Sequence, residues 1–353
     1  MTVQPCPVGQ VGQVGQVGQV GQVGQVGQVG QVGQVGQVGQ VGQVGQVGQV
    51  GQVGQVGQVG QVGQVGSGLV SVIMPARNGA ATIGAQLAAL ARQTYAGRWE
   101  LIVVDNGSTD GTPALVAGFA GRLPNLRLHR AGAYPGTSYA RNEGCRVSRG
   151  ELLLFCDQDD VVAPGWVAAM VRGLAEFPAV GGHVERRLLN DDVSLATRPE
   201  KPAGSLQGGF DFLPYALGAN CGVRRAVFEE LGGFDPAYRY GSDEVSFFWR
   251  AQLAGHRIGA LPDAVVHYRL RRRLPAMARQ YYSYGLSHPR LYRDFAAAGL
   301  PCSVRSAARE WRWLLRHLPD LLRSRRHRAV WVTRCAMRCG RLAGSLRNRV
   351  VFP

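Results

Sequence analysis

Several short segments of this chain are apolar almost without interruption, where half-buried strands would alternate. Residues 70–74, 101–104 and 152–156 are of this kind. Strands buried on both faces read this way, and they belong to parallel sheets covered by helices. The intervening segments carry a helical period. In residues 80–93, Ile83, Leu87, Leu90 and Ala91 fall on one face. Residues 114–119, 137–147 and 166–177 also read as helices, the last begun by Pro164. Shorter strands are expected at 126–128 and 180–184. Strands alternating with helices of this length predict βαβ units, an α/β fold with a mainly parallel sheet flanked by helices.

The pattern breaks at residues 186–214, which are polar, rich in Gly and Pro, and without period. A loop of that length is expected to be functional or disordered. Order resumes at 217–223, followed by a helix at 225–231 that stops at Gly232-Gly233. A second helix covers 244–253, with Phe247, Phe248 and Ala251 inward, and a last strand covers 264–268. Three helices are expected at 275–294, 304–318 and 321–341. In the second of these, Trp311, Leu314, Leu315 and Leu318 form one stripe, with Arg309, Arg312 and Arg316 around it. That stripe fits a helix packed on the domain with solvated arginines, or one lying on an anionic membrane surface.

Composition separates the two ends from the middle. From Val8 to Gly66 the triplet Val-Gly-Gln repeats unbroken, carrying 20 of the 50 glycines and no charge. The repeat is read as disordered, since it holds little to bury. Glycine at every third position also fits a collagen-like triple helix, although the proline usual there is missing. The net charge is +16, and residues 269–353 hold 20 arginines against Asp294, Glu310 and Asp320. The expected organisation is therefore a repeat at 1–68, a catalytic domain at 69–285 and an Arg-rich helical region at 286–353. No nucleic-acid motif accompanies the basic tail, so a nucleic-acid partner is not expected. Seven cysteines without paired spacing suggest a reducing compartment. No secretory signal and no run of roughly 20 apolar residues is visible. The expected location is cytoplasmic, at the inner face of a membrane if the basic helices bind one.

Candidate chemistry lies at the strand ends. Ligands of open α/β sheets bind beyond the carboxyl ends of the strands. The 152–156 strand runs into Asp157-Gln158-Asp159-Asp160. Carboxylates this close repel unless a hard cation such as Mg²⁺ or Mn²⁺ shares them, although an acidic turn would read alike. Two further tips carry Pro75-Ala76-Arg77-Asn78 and Asp105 with Asp110. Three such tips from successive strands suggest one crevice. Asp243-Glu244 opens a helix, where an acidic pair can also serve the helix dipole.

The stretches VSVIMPARNGA, LIVVDNGSTDGT, GTSYARNEG, LLLFCDQDD, LGANCGVRRAVFEELGGFD and GSDEVSFFWR occur in that order. Together they resemble the family 2 glycosyltransferases of the GT-A fold, over about 200 residues. The resemblance implies sugar transfer from a nucleoside-diphosphate donor to a carbohydrate or lipid-linked acceptor hydroxyl, as in assembling cell-envelope polysaccharide. It implies that Asp105 contacts the base and that Pro75, Arg77 and Asn78 shape the nucleotide pocket. Arg141 would lie near the donor, if it is not an ordinary helix-surface arginine. Asp157 and Asp159 match the family's DxD motif, Asp157 near ribose and metal, Asp159 on a cation bridging the diphosphate. His267, ending the last strand, would complete the metal shell. Trp249 and Arg250 would pack the acceptor side.

One departure concerns the base. The family pair is usually Glu then Asp, whereas this chain has Asp243 then Glu244. Either can be the base, and position favours Glu244. Processive members continue with Gln-x-x-Arg-Trp and membrane spans. Here Gln280-Tyr281-Tyr282-Ser283-Tyr284 stands instead, which implies a non-processive, inverting enzyme. The reordered pair also allows a non-catalytic nucleotide-sugar-binding scaffold. A nucleotidyltransferase is the third reading, weakened because residues 75–79 make a poor phosphate loop.

Overall fold

A computed structural model describes residues 68–123 and 125–352. The Val-Gly-Gln repeat, with the expectation that it is disordered, lies outside them. Eight strands form one mixed sheet: β1 (Val70–Ala76), β2 (Trp99–Asp105), β3 (Leu126–Arg130), β4 (Leu152–Cys156), β5 (Val161–Val162), β6 (Ala179–Glu185), β7 (Asn220–Arg224) and β8 (Ile258–His267). Their order is β3-β2-β1-β4-β7-β6-β8-β5. The first four run parallel, and β8 is parallel to β6. β7 is antiparallel to both β4 and β6, and β5 is antiparallel to β8.

The uninterrupted apolar runs have the expected cause, because both faces of the central strands are covered. Val72, Met74, Leu101, Val103 and Leu154 pack against Ile83, Leu87 and Leu90 of one helix and Trp166 and Met170 of another. Their chain neighbours Ile73, Ile102, Val104, Leu153 and Phe155 face the other side. There they meet Ala140 and Cys145 of the Thr137–Val147 helix, and Phe247 and Phe248 of the Asp243–Leu253 helix. The Thr137–Val147 helix lies close against the sheet at Gly144, where a Cβ would stand 2.4 Å from Ile73 Cγ2. That close seating carries Arg141, one turn earlier, beneath the strand tips.

Three expectations change in detail. Residues 186–214 are not without structure. They hold a short helix, Asp192–Thr197, whose cap Asp191 accepts from the Ser194 N–H at 2.8 Å, and a bridge between Gln207 and Tyr215. The boundary expected at 285 falls inside the helix Leu274–Phe295. That helix packs along Arg325–Asn348 at Gly285 and Gly340, whose Cα atoms approach so closely that neither position has room for a side chain. Leu314 is buried rather than part of an exposed stripe, whereas Leu315 is 68% and Leu322 88% exposed. No helix among the described residues is long and apolar enough to cross a membrane.

Candidate active site

The register of the parallel strands assembles the site. Ala76 pairs with Asp105, and β4 lies on the other side of β1, so Asp157 follows one strand from the first loop. Gln158 closes that gap. Its Oε1 accepts from the Arg77 N–H at 3.1 Å and its Nε2 donates to the Arg77 carbonyl at 2.9 Å. Asn78 sits at φ 49°, a left-handed conformation that Asn tolerates better than most residues. Its Oδ1 accepts from the Thr109 N–H at 2.8 Å, joining the first loop to the second. Asp105 is 6% exposed, and its Oδ1 accepts from the Ser108 N–H at 2.9 Å. Asp110 is a turn residue, accepting from Thr112 N–H and Ala80 N–H.

Arg141 is the residue that unites the site. It is 3% exposed, and it donates Nη2 to Asp157 Oδ1 at 3.0 Å and Nη1 to Asp243 Oδ2 at 3.1 Å. Its guanidinium also lies over the Phe234 ring, 5.5 Å from the centroid. Burial opposes its charge, but Asp157, Asp243 and Glu244 more than offset this and hold it protonated. It is therefore not a helix-surface arginine. Gly218 leaves the space it needs, since a Cβ there would lie 2.4 Å from Nη1.

The three carboxylates after β4 have different surroundings. Burial pushes the Asp157 carboxyl up, Arg141 opposes this, and Asp159 adds repulsion. Asp159 Oδ2 pairs with Arg271 Nη1 at 2.9 Å, and that arginine is half exposed. Asp160 is fully buried, accepts from the Arg269 N–H at 2.7 Å, and leaves Oδ2 without a partner. Burial, then Asp159 and Asp157, push its carboxyl well up. It ties the loop to the chain after β8.

His267 pairs with Val161, the residue directly after Asp160. Its Nδ1 is bonded to Glu185 Oε2 at 2.7 Å across the β6–β8 pair. Among the described residues, no three His, Cys, Asp or Glu side chains gather closely enough to hold a metal. The donor set that fits a cation is Asp157 with Asp159. Each spends one oxygen on an arginine, and the Arg271 pair is exposed enough to be worth little. A hard divalent ion held by two carboxylates usually takes its other oxygens from substrate phosphates.

Across the crevice, Asp243 is 5% exposed while Glu244 is half-buried. Burial, then the charge and hydrogen bond of Asp243, push the Glu244 carboxyl up to about 8. Trp249 and Arg250 are both anchored to backbone carbonyls. Trp249 is fully buried and donates Nε1 to the Leu213 carbonyl at 2.7 Å. Arg250 donates to the Leu231 and Gly233 carbonyls.

Two residues with site roles escape motif reading. Gln86 is fully buried, donating Nε2 to the Asp157 carbonyl at 3.0 Å and accepting from the Val162 N–H at 2.9 Å. The only signal was a polar residue on the inward face of an apolar helix. Asn220 accepts from Trp166 Nε1 and donates to the His183 and Ala264 carbonyls, pinning β7 to β6 and β8.

A sheet of this order, with carboxylates and one arginine gathered beyond its parallel strand ends, defines a GT-A-type α/β fold. Residues 71–273 match the family model "Glycosyl transferase family 2", and the chain belongs to that family. Residues 7–68 match the model "Collagen triple helix repeat (20 copies)". The glycosyltransferase AglE of Haloferax volcanii is 30% identical over 199 residues, 56% of this chain and 65% of that protein. WfgD of Escherichia coli, named as a UDP-Glc:alpha-D-GlcNAc-diphosphoundecaprenol beta-1,3-glucosyltransferase, is 36% identical over 28% of this chain and 37% of its own. The chain thus spans less than two thirds of either relative. The mannosyltransferase PcManGT from Pyrobaculum calidifontis, solved with GDP-Man and Mn²⁺, superposes with a TM-score of 0.56 at 23% identity. The superposition covers 78% of this chain and 87% of that one, a likeness of fold.

Proposed function

We propose that this protein transfers a sugar from a nucleoside-diphosphate donor to an acceptor hydroxyl, inverting and adding one sugar at a time. The observation that carries the reading is the double ion pair of Arg141, which joins the strand-tip carboxylates to the acidic pair in one crevice. Pro75, Arg77, Asn78 and Asp105 form the nucleotide side, and Arg141 and Asp157 the donor's ribose and diphosphate side. Asp157 and Asp159 hold Mg²⁺ or Mn²⁺. When bound, the ion neutralises charge on the diphosphate leaving group as the glycosidic bond breaks.

Glu244 is the base. The acceptor hydroxyl is a poor nucleophile until a carboxylate takes its proton in the transition state. Asp243 is committed to Arg141, whereas Glu244 is the more open of the two. Asp243 is then a positioning residue, fixing both the arginine and the first turn of the helix. Trp249 and Arg250 serve the acceptor side indirectly, by holding Leu213 and the turn at Gly233. Absence of a Gln-x-x-Arg-Trp segment supports the non-processive reading.

The WfgD-like relative supports a lipid-linked acceptor for this chain as well. Leu315, Leu318 and Leu322 are exposed beside Arg312, Arg316 and Arg323, the arrangement that suits an anionic membrane surface. A donor panel with Mn²⁺, read by release of nucleoside diphosphate, tests the transfer. Turnover that survives both Asp159→Ala and Glu244→Gln would overturn the assignment. Binding without turnover would leave the scaffold reading in its place.

A further inference from the structure

A cluster of cations on the other side of β4 has no carboxylate to balance it. Arg186, directly after β6, is 1% exposed. Its Nη1 donates to the Pro199 carbonyl at 3.0 Å, and its buried Nε has no partner. Arg198 stands among aromatic rings, with its guanidinium 5.7 Å from the centroids of both Tyr268 and Tyr284. Neither arginine makes an ion pair among the described residues. Glu200, an acid that acts on Arg186, is paired with Arg187 at 2.9 Å and His183 at 3.8 Å. Lys201 adds a third positive charge.

Burial opposes the Arg198 charge, but Tyr284 and Tyr268 beside it more than offset this and hold its pKa up. Burial, then Arg198, pushes the Arg186 pKa down. Burial, then Arg186 and Arg198, does the same to Lys201. Buried charges are ordinarily paired, since an unpaired one carries its desolvation cost uncompensated. A buried guanidinium with no ion pair, beside a second arginine and a lysine that are half-buried, marks a place where an anion binds.

Position says which anion. The sheet order puts β6 beyond β4 and β7, away from the nucleotide loops on β1 and β2. Tyr284, which faces Arg198, also packs near the acidic pair: a Cβ on Gly241 would stand 3.1 Å from its Cδ1. Burial and then Glu244 push the Tyr215 phenol up to about 12. We propose that Arg186 and Arg198 form a phosphoryl-anion subsite that holds the diphosphate of a prenyl-linked acceptor, separate from the donor diphosphate. The acceptor half of this assignment rests on the transferase reading; the anion site does not.

The test is calorimetric titration of the full chain without divalent cations, using inorganic pyrophosphate and farnesyl diphosphate as probes. Nucleoside diphosphate is titrated separately with Mn²⁺. Both anion probes are expected to bind. Arg198→Gln should weaken them by about tenfold or more, as loss of a charged hydrogen bond does, and Arg198→Lys by less. Nucleoside diphosphate affinity should stay within about twofold in both variants, which also certifies their fold. Failure of the wild type to bind pyrophosphate overturns the anion site, as does an unaltered Arg198→Gln. Equal weakening of nucleoside diphosphate assigns the anion to the donor and overturns the acceptor subsite. Binding of pyrophosphate but not farnesyl diphosphate overturns the prenyl-linked ligand. A chain that releases no nucleoside diphosphate from any donor, yet shows Arg198-dependent anion binding, refutes the transferase reading and keeps the anion site.

Discussion

Arg141 and Asp243 form a buried ion pair at 3.1 Å between residues 102 positions apart, and the same guanidinium holds Asp157 at 3.0 Å. The candidate metal loop and the candidate base helix are therefore coupled through one side chain. Removing that side chain leaves Asp243 buried without a counter-ion, which costs about 3–5 kcal/mol. Arg141→Ala is expected to lower the thermal midpoint by about 6 °C or more and abolish measurable transfer. Arg141→Lys keeps the charge but cannot serve two carboxylates in a fork, so a loss of about tenfold or more in kcat/KM is expected. Calorimetry and steady-state kinetics on the two variants check this; a wild-type Arg141→Lys enzyme would contradict it.

Asp159 and Asp160 are neighbours with opposite expectations. Asp159→Asn should reduce Mn²⁺ affinity and kcat by about 100-fold, because one of only two fitted ligands is neutralised. Asp160→Asn should leave metal affinity within about twofold, since Asp160 is fully buried and serves the Arg269 N–H. Metal titrations followed by activity distinguish the two. Chelation should stop turnover in the wild type and restore it on adding Mn²⁺.

His267 Nδ1 is bonded to Glu185, and no three metal-ligating side chains gather among the described residues. His267→Ala is expected to leave Mn²⁺ affinity within about twofold, while loosening the β6–β8 pair by about 1 kcal/mol. A large loss of metal affinity in this variant would restore histidine to the metal shell.

Glu244 sets the pH dependence of the proposed reaction. A base must be deprotonated, and the Glu244 carboxyl is pushed up to about 8. The profile of kcat/KM in the wild type should therefore rise by about tenfold per pH unit below that value and level off above it. Glu244→Gln should lower kcat by about 100-fold or more and remove this limb. A flat wild-type profile between about pH 6 and 9 would exclude Glu244 as the base.

The same group makes a stability argument with a definite sign. The folded state holds the Glu244 proton up to about 8, against an ordinary value of 4.5. Its contribution to stability is thus fully present below the lower value and is lost as pH rises through the higher one. Glu244→Gln cannot ionise, so its thermal midpoint should exceed the wild type by about 3 °C or more above pH 8. The difference should vanish near about pH 5, as scanning calorimetry across pH would show.

Much of this protein is legible from its chain alone. The apolar runs of β1, β2 and β4 announce strands covered on both faces, because burial on both sides leaves no reason for a polar alternate position. The helical periods between them, and the carboxylates that follow β2 and β4, place a polar crevice at the strand ends before any coordinates are known. Asp110 is recognisable as a turn residue because Asp commonly bonds to backbone two residues on.

What the chain does not contain is its long-range pairing. Nothing local tells β7 to run antiparallel between β4 and β6, because strand direction is decided by which neighbour receives its hydrogen bonds. Nothing near Arg141 separates it from a surface arginine; only the close seating of its helix at Gly144 and the gap at Gly218 put it between Asp157 and Asp243. Gln86, Asp160 and the unpaired Arg186 are likewise defined by partners, or by the lack of them, far along the chain. The sequence by itself determined which residue types stand at the strand tips, since that is a matter of local pattern. The tertiary structure decided which of them meet, which are neutral and which remain charged, because proximity and burial exist only once the sheet has closed.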